Sequence, residues 1–267
     1  MFFINFFRLE HELLKILINM DTLKYNWYYN EDIEFIPNNI KYLEFGYEFN
    51  KDIKCKIPNC VVFLKFGWCF NKPLNNIIPN SVKYLTFGNH FNQSIDVNNI
   101  PNSVIELTFG GKFNQELINL PNSIIKLVLK YNFNKSLDNI PTSVTHLTLG
   151  YNFDHDIHKI PNTIKYLSIC DYPLSKINNL FFLDYICFSN YDLYEYYYCI
   201  YIKKIKQFYF YTNRSEFEIL QNIIYNNNLF KGNDIQKDLV EYVFNPKRLL
   251  NICNIFNIEL IDYIDII

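Results

Sequence analysis

The residues best suited to hold a metal ion lie close together in the sequence, at Asp154, His155, Asp156 and His158. Carboxylate and imidazole groups are common zinc ligands, but a site needs three or four of them converging on one point. No further ligand recurs at a spacing that would bring it to this cluster, and Asp154 also belongs to a repeat column described below. We therefore expect no metal site.

Enzymatic chemistry is not indicated elsewhere. The sequence contains no phosphate-binding glycine loop, no nucleophile elbow and no zinc-protease motif. Its seven cysteines, at positions 55, 60, 69, 170, 187, 199 and 253, include no C-x-x-C pair. This usage predicts reduced thiols and no disulfide framework. We expect a protein that is not an enzyme, with no catalytic residues and no cofactor.

Charge and hydropathy limit the classes of partner. The formal net charge is −2, so no basic field indicates a nucleic acid. No apolar run approaches the roughly 18 residues that a membrane span needs. Residues 1–7, apolar except for Asn5, are too short for the core of a signal peptide. These features predict a cytoplasmic protein that binds neither nucleic acid nor membrane.

The elements that must position any functional residue are set by a tandem repeat. Prolines recur in steps of 20 to 22 residues, at Pro37, Pro58, Pro79, Pro101, Pro121, Pro141 and Pro161. An aromatic residue followed by Asn or Asp comes twelve positions after each of the first six, as Phe49-Asn50, Phe70-Asn71, Phe91-Asn92, Phe113-Asn114, Phe133-Asn134 and Phe153-Asp154. A period in this range is typical of a solenoid built from stacked coils.

Within each unit the apolar residues occupy fixed columns. Ile or Val lies three positions after each proline, Leu lies six after, and Phe, Leu or Ile lies eight after. The last two columns are two residues apart, which is the period of a β-strand. Stacked units would align these strands in a parallel sheet with a spacing of about 4.8 Å.

The turn after each strand has its own columns. Glycine follows the strand in five units, at Gly46, Gly67, Gly88, Gly110 and Gly150, whereas Lys130 and Cys170 break the column. We expect a sharp turn there, with a positive φ at the glycine. The repeated Phe is predicted to stack as an internal spine. The Asn or Asp beside it is predicted to pair with backbone groups that the coil would otherwise leave unsatisfied.

Strand residues that point away from the core are the candidates for binding. Five positions after each proline come Tyr42, Phe63, Tyr84, Glu106, Lys126, His146 and Tyr166. Aromatic anchors beside charged residues suit a protein partner on the open face of the sheet. An alternative stays open, because the chain has no alanine and is rich in Asn, Ile, Lys, Tyr and Phe. These residues have AT-rich codons, so codon bias could have placed Tyr at tolerant positions.

The unit at residues 78–95, Ile-Pro-Asn-Ser-Val-Lys-Tyr-Leu-Thr-Phe-Gly-Asn-His-Phe-Asn-Gln-Ser-Ile, resembles the FNIP repeat, and it recurs at 100–117 and 140–157. That family is a leucine-rich-repeat relative of amoebae and giant viruses. The resemblance implies a leucine-rich-repeat-like solenoid with short non-helical return segments and a role in protein–protein interaction. For a viral protein, the location would be the host cytoplasm.

Two alternatives to a specific binding module stay open. Many relatives carry an N-terminal F-box and are thought to recruit targets to ubiquitin ligases, but only about 35 residues precede Pro37. A helical pattern at residues 6–20 fits an N-terminal capping helix or a divergent adaptor-binding helix. The other alternative is a structural repeat protein without a specific partner.

The predicted organisation has four segments: an N-terminal helical cap over 1–30, about seven repeats over 31–175, degenerate repeats over 176–213, and a C-terminal helical cap over 214–267. Leu183, Ile186 and Phe188 keep the repeat spacing, as do Ile205, Phe208 and Phe210. The Tyr-rich stretch 191–201 between them is interpreted as an irregular insertion. From 215 onwards the pattern becomes helical, beginning with a capping box.

Overall fold

The computed structural model describes residues 21–96, 98–170, 183, 185–192, 195–202 and 207–211. The chain divides into two compact units, residues 1–155 and 156–267. The predicted helices of the N-terminal and C-terminal caps lie outside the described residues.

The first unit is a parallel β-solenoid. Its strands are β1 (Thr22–Lys24), β2 (Tyr42–Glu44), β3 (Phe63–Lys65), β4 (Tyr84–Thr86), β5 (Glu106–Phe109), β6 (Lys126–Leu129) and β7 (His146–Leu149). Each pairs in parallel with its neighbours in chain order, and the register aligns the leucine column, as in Leu43 with Leu64. The return segments described here contain no helix, so the predicted leucine-rich-repeat-like architecture is confirmed for this unit.

The core consists of the predicted apolar columns. Outward residues on each strand alternate with a fully buried leucine, because successive side chains of a strand point to opposite faces. Two phenylalanine spines run through the coils. Phe70 and Phe91 stack at 6.2 Å between ring centroids and 3° from parallel, and Phe66 stacks on Phe87 at 5.2 Å. Identical coils bring identical rings together, so one packing solution repeats along the unit.

An asparagine ladder closes the turns. The side-chain oxygen of each Asn in the Phe-Asn pair accepts a hydrogen bond from the backbone N–H of the matching residue in the next coil. The N···O distance is 2.9 Å between Asn71 and Asn50 and between Asn114 and Asn92, and 3.0 Å between Asp154 and Asn134. A second ladder donates serine hydroxyls to backbone carbonyls, as in Ser103 to Val82 at 2.7 Å.

The structure corrects the expected role of the turn glycines. No described glycine has a positive φ. Instead, a Cβ added to Gly67 would overlap the carbonyl oxygen of Gly46 in the preceding coil. The column is therefore required by close approach of two backbones. Where Lys130 breaks it, the next residue, Tyr131, takes a φ of 24°, so the turn changes shape to make room for a side chain.

The first unit also contains a coil that the proline pattern misses. Strand β1 pairs with β2, and Asn30 accepts a hydrogen bond from the Asn50 N–H at 2.9 Å, as the first rung of the asparagine ladder. The assignment of residues 21–30 to a helical cap is therefore wrong. The signal was present in the sequence, because Leu23, Tyr25 and Tyr29 keep the spacing of the leucine and phenylalanine columns without a proline.

The second unit begins with a 3₁₀ turn, Ile157–Lys159, and contains β8 (Tyr166–Cys170), β9 (Tyr185–Asp192), β10 (Glu195–Ile202) and β11 (Gln207–Tyr211). Strand β9 pairs in parallel with β8, and Ile186 aligns with Leu167 as the repeat spacing predicts. Strands β10 and β11 are antiparallel. The stretch 191–201 is therefore not an irregular insertion, and Phe208 and Phe210 lie on an antiparallel strand instead of a further coil.

Candidate protein-binding face

The outward row of the first unit forms one continuous line across the sheet. Each predicted residue is the direct register partner of the next, in the order Tyr42, Phe63, Tyr84, Glu106, Lys126 and His146. The same row begins one coil earlier, at Thr22. The seventh predicted residue, Tyr166, belongs to the second unit, where it lies on β8 and pairs with Tyr185.

The first half of this row is an aromatic ladder, which we call the face ladder and define as Tyr42, Phe63 and Tyr84. The rings of Tyr42 and Phe63 stack at 5.9 Å between centroids, and those of Phe63 and Tyr84 at 4.3 Å. Phe63 is 41% exposed. Stacking holds the rings in fixed positions on the surface, so a partner would meet an apolar strip that loses little side-chain entropy on binding.

An ion-pair cluster lies beside the face ladder. Glu44 accepts from Lys24 at 2.9 Å and from Lys65 at 2.6 Å, so one carboxylate links three coils. Burial opposes ionisation of Glu44, but the hydrogen bonds from Lys65 and Lys24 outweigh it and lower the pKa of this carboxyl. The Tyr42 hydroxyl donates to the same carboxylate at 3.3 Å, and the Lys24 ammonium lies 5.0 Å from the centre of the Tyr42 ring.

The second half of the row is polar. Lys126 approaches Glu106 at 3.6 Å, and His146 places Nδ1 2.8 Å from the hydroxyl of Thr145. Burial lowers the pKa of His146 to about 4, and the nearby charge of Lys126 contributes to the shift. His146 is therefore a neutral imidazole at pH 7, held within the sheet surface. The row thus changes from aromatic to polar between β4 and β5.

Sequence reasoning missed a second exposed ladder. Tyr47 and Trp68 come ten positions after Pro37 and Pro58, and Trp27 holds the same column one coil earlier. The three rings stack at 4.3 Å and 5.4 Å between centroids, within 9° of parallel. We call this the turn ladder. Trp27 is 56% exposed and Trp68 is 44% exposed, and the chain has no other tryptophan. The signal was the tryptophan itself, because its codon is not AT-rich and codon bias does not explain it.

The structure brings no metal site together in the part that it describes, where no three His, Cys, Asp or Glu side chains converge. His155 instead places Nε2 3.2 Å from the carbonyl oxygen of Asn134. Cys55, Cys60, Cys69 and Cys170 are free thiols. None of the helices within the described ranges has the length and apolar character to cross a membrane.

Comparison with known proteins agrees with the repeat columns. The model of the FNIP repeat family matches residues 29–69, 70–112 and 133–171. The chain contains FNIP repeats. The stretch between the second and third matches, 113–132, includes Lys130, which breaks the glycine column of these repeats.

One solved structure similar to this chain is that of the giant-virus protein CroV588, described as a novel circular LRR protein structure. The sequence identity is 35% and the TM-score is 0.48. The match covers 57% of this chain but only 27% of that protein. No curated protein matches the chain. FNIP repeats in a leucine-rich-repeat-like solenoid are typical of protein-interaction modules and are typically non-enzymatic.

Proposed function

We propose that this protein is a binding module whose face ladder contacts a protein partner. The observation that carries the proposal is the row of three stacked aromatic rings on the outward face of β2, β3 and β4. The rings contribute nothing to the apolar core, which the leucine and phenylalanine columns on the opposite side already fill. Exposed apolar surface of this kind marks interaction sites, and contact with a partner protein would bury these outward rings.

The energetics of burial support this proposal. Covering apolar surface stabilises a complex by about 25 cal/mol per Å², and aromatic residues at the centre of an interface contribute more than their number suggests. The face ladder and the turn ladder occupy overlapping sets of coils. Trp68 follows Lys65, on the strand face, by three residues. We therefore include the turn ladder as an edge of the proposed surface.

Codon bias is the competing explanation for the aromatic residues. It accounts for abundant Tyr and Phe anywhere in the chain, but it does not account for both tryptophans lying exposed in one ladder. We further propose a cytoplasmic location, which fits the free thiols of Cys55, Cys60, Cys69 and Cys170.

The test compares two variants of the same row. The first replaces the face ladder by Tyr42→Thr, Phe63→Thr and Tyr84→Thr. The matched control replaces the polar half by Glu106→Thr, Lys126→Thr and His146→Thr. Threonine suits both because it tolerates a strand and already occupies the row at Thr22. Loss of the ladder removes two stacking contacts, so we expect about 1–3 kcal/mol lower stability without loss of fold.

The readout is affinity purification of tagged intact protein from cell extract, with folding of each variant checked by circular dichroism. We expect a specific partner that is retained by the wild type and by the control but lost by the face-ladder variant. Partners retained equally by all three proteins would show that the aromatic half of the row is not the binding surface.

A further inference from the structure

The charges beside the face ladder differ from those of the whole chain. The outward positions of β1 to β4 carry Lys24 and Lys65 and a single carboxylate, Glu44. Two more lysines, Lys41 and Lys83, directly precede the strands that carry Tyr42 and Tyr84, and Asp21 precedes β1. Four lysines thus lie against two carboxylates on β1 to β4 and the residues before them, in a chain whose formal net charge is −2. The next carboxylate, Glu106 beside Tyr84, lies 3.6 Å from Lys126.

The carboxylate at the centre of this group, Glu44, already has hydrogen-bond partners. Glu44 accepts hydrogen bonds from Lys24, Lys65 and the Tyr42 hydroxyl. The two lysines therefore balance its negative charge, and it would not repel an acidic partner as a solvated carboxylate would. The lysines on either side of it keep the net potential of this region positive.

Lys41 and Lys83 are the charges available to a partner. Both are exposed, and neither ammonium lies within ion-pair distance of a carboxylate in the described ranges. They are separated by two coils, or about 9.6 Å at the usual strand spacing, with Phe63 on the strand between them. That distance corresponds to about three residues of an extended chain at roughly 3.3 Å each.

The polar half of the face lacks this pattern. Ile105, Ile125 and Thr145 replace the preceding lysines there, and the one lysine, Lys126, is paired with Glu106 at 3.6 Å. Unpaired positive charge and stacked aromatic rings therefore coincide on the same three coils. Charge complementarity then sets the character of the occupant.

We propose that the face ladder binds an acidic peptide segment of a partner protein, in which an apolar residue lies between carboxylates about three residues apart. The apolar residue covers Phe63, and the carboxylates pair with Lys41 and Lys83. This inference rests on the proposed function and specifies the partner of the same surface.

The test is selection of a phage-displayed library of random twelve-residue peptides on the immobilised intact protein. We expect selected peptides to be enriched in Asp and Glu flanking an aromatic or aliphatic residue. The same selection on a Lys41→Glu, Lys83→Glu variant should lose that enrichment. A variant with Lys56→Glu and Lys112→Glu carries the same charge change on exposed lysines outside the face, and it should keep the enrichment.

Titration of one synthetic peptide from the selected pool supplies the magnitude. Tryptophan fluorescence can report it, since both tryptophans of the chain lie in the turn ladder. Anisotropy of a fluorescein label serves if the indole signal does not change. Reversing both lysines should weaken binding at least tenfold at low salt, and raising the salt should reduce the difference.

Failure of the inference and failure of the proposed function give different results. Neutral or basic peptides that bind the wild type and lose binding on the face-ladder variant would overturn the acidic partner but keep the face. Peptides whose binding is unaffected by that variant would overturn both. Binding of the intact protein to phosphatidylserine vesicles through Lys41 and Lys83, without acidic enrichment in the selection, would replace the acidic segment by a lipid surface.

Discussion

Replacing Gly110 with alanine tests the close approach of two coils. A Cβ at this position would overlap the carbonyl oxygen of Gly88 and lie 2.7 Å from the Cα of Asn89. Carbon atoms in ordinary contact are about 3.5–4.0 Å apart, so one backbone must move by about 1 Å. That movement would disturb the Gly88–Gly110 step of the stack, on which the phenylalanine spines and the asparagine ladder depend.

The expected cost follows from the same geometry. Overpacking that shifts a backbone costs about 1–3 kcal/mol. At an unstrained site alanine would instead add about 0.4–1 kcal/mol by restricting the unfolded chain, and neither glycine of this turn has a positive φ. We therefore expect Gly110→Ala to lower the free energy of unfolding by about 1–3 kcal/mol, which is large for a small domain.

The adjacent glycine is a matched control. A Cβ on Gly111 would meet the side-chain oxygen of Asn89 and lie 3.0 Å from Cδ2 of Tyr131, a ring that is 55% exposed. A side chain can move where a backbone cannot, so Gly111→Ala should cost no more than the hydrogen bond that its N–H donates to Asn89 at 3.0 Å, about 1 kcal/mol. Urea unfolding followed by circular dichroism measures both variants. Equal losses for the two, or a Gly110→Ala protein as stable as the wild type, would refute the close-approach explanation.

Two further predictions concern groups inside the unit. Asn92→Ala should cost about 1–3 kcal/mol, because it leaves the backbone N–H of Asn114 without its 2.9 Å acceptor. The control Asn132→Ala lies outside the asparagine ladder and removes only an exposed hydrogen bond from the Asn152 side chain, so it should change the urea midpoint little. The pKa of His146 in the folded protein is about 4, against an ordinary value of 6.5, so its contribution is present at pH 7 and is lost as the pH falls from 6.5 towards 4. Allowing for solvent screening, we expect the free energy of unfolding to be roughly 1 kcal/mol lower at pH 5 than at pH 7. Urea unfolding at both pH values should show a smaller difference for His146→Gln. An imidazole proton resonance of His146 that titrates near pH 6.5 would contradict this prediction.

The repeat columns were accessible from the sequence because they are local. Proline, leucine and phenylalanine recur at fixed spacing, and the period of two between the inward columns identifies a strand without knowledge of its neighbours. The coil around Leu23 was missed because it lacks the proline that marked the others. The direction of β10 and β11 was missed because pairing between strands is non-local, and alternating aromatic residues suit a parallel or an antiparallel neighbour equally.

The candidate face divides in the same way. Alternation along the strand placed Tyr42, Phe63 and Tyr84 in the outward row. By itself, therefore, the sequence determined which residues fill the coils and which point away from them, since both follow from spacing along one chain. Only the tertiary structure decided that the outward rings stack, that Glu44 is occupied by Lys24 and Lys65, and that the turn glycines make room for a carbonyl. Those features depend on distances between residues about twenty apart in the chain, which stacking of the coils brings to within a few ångströms.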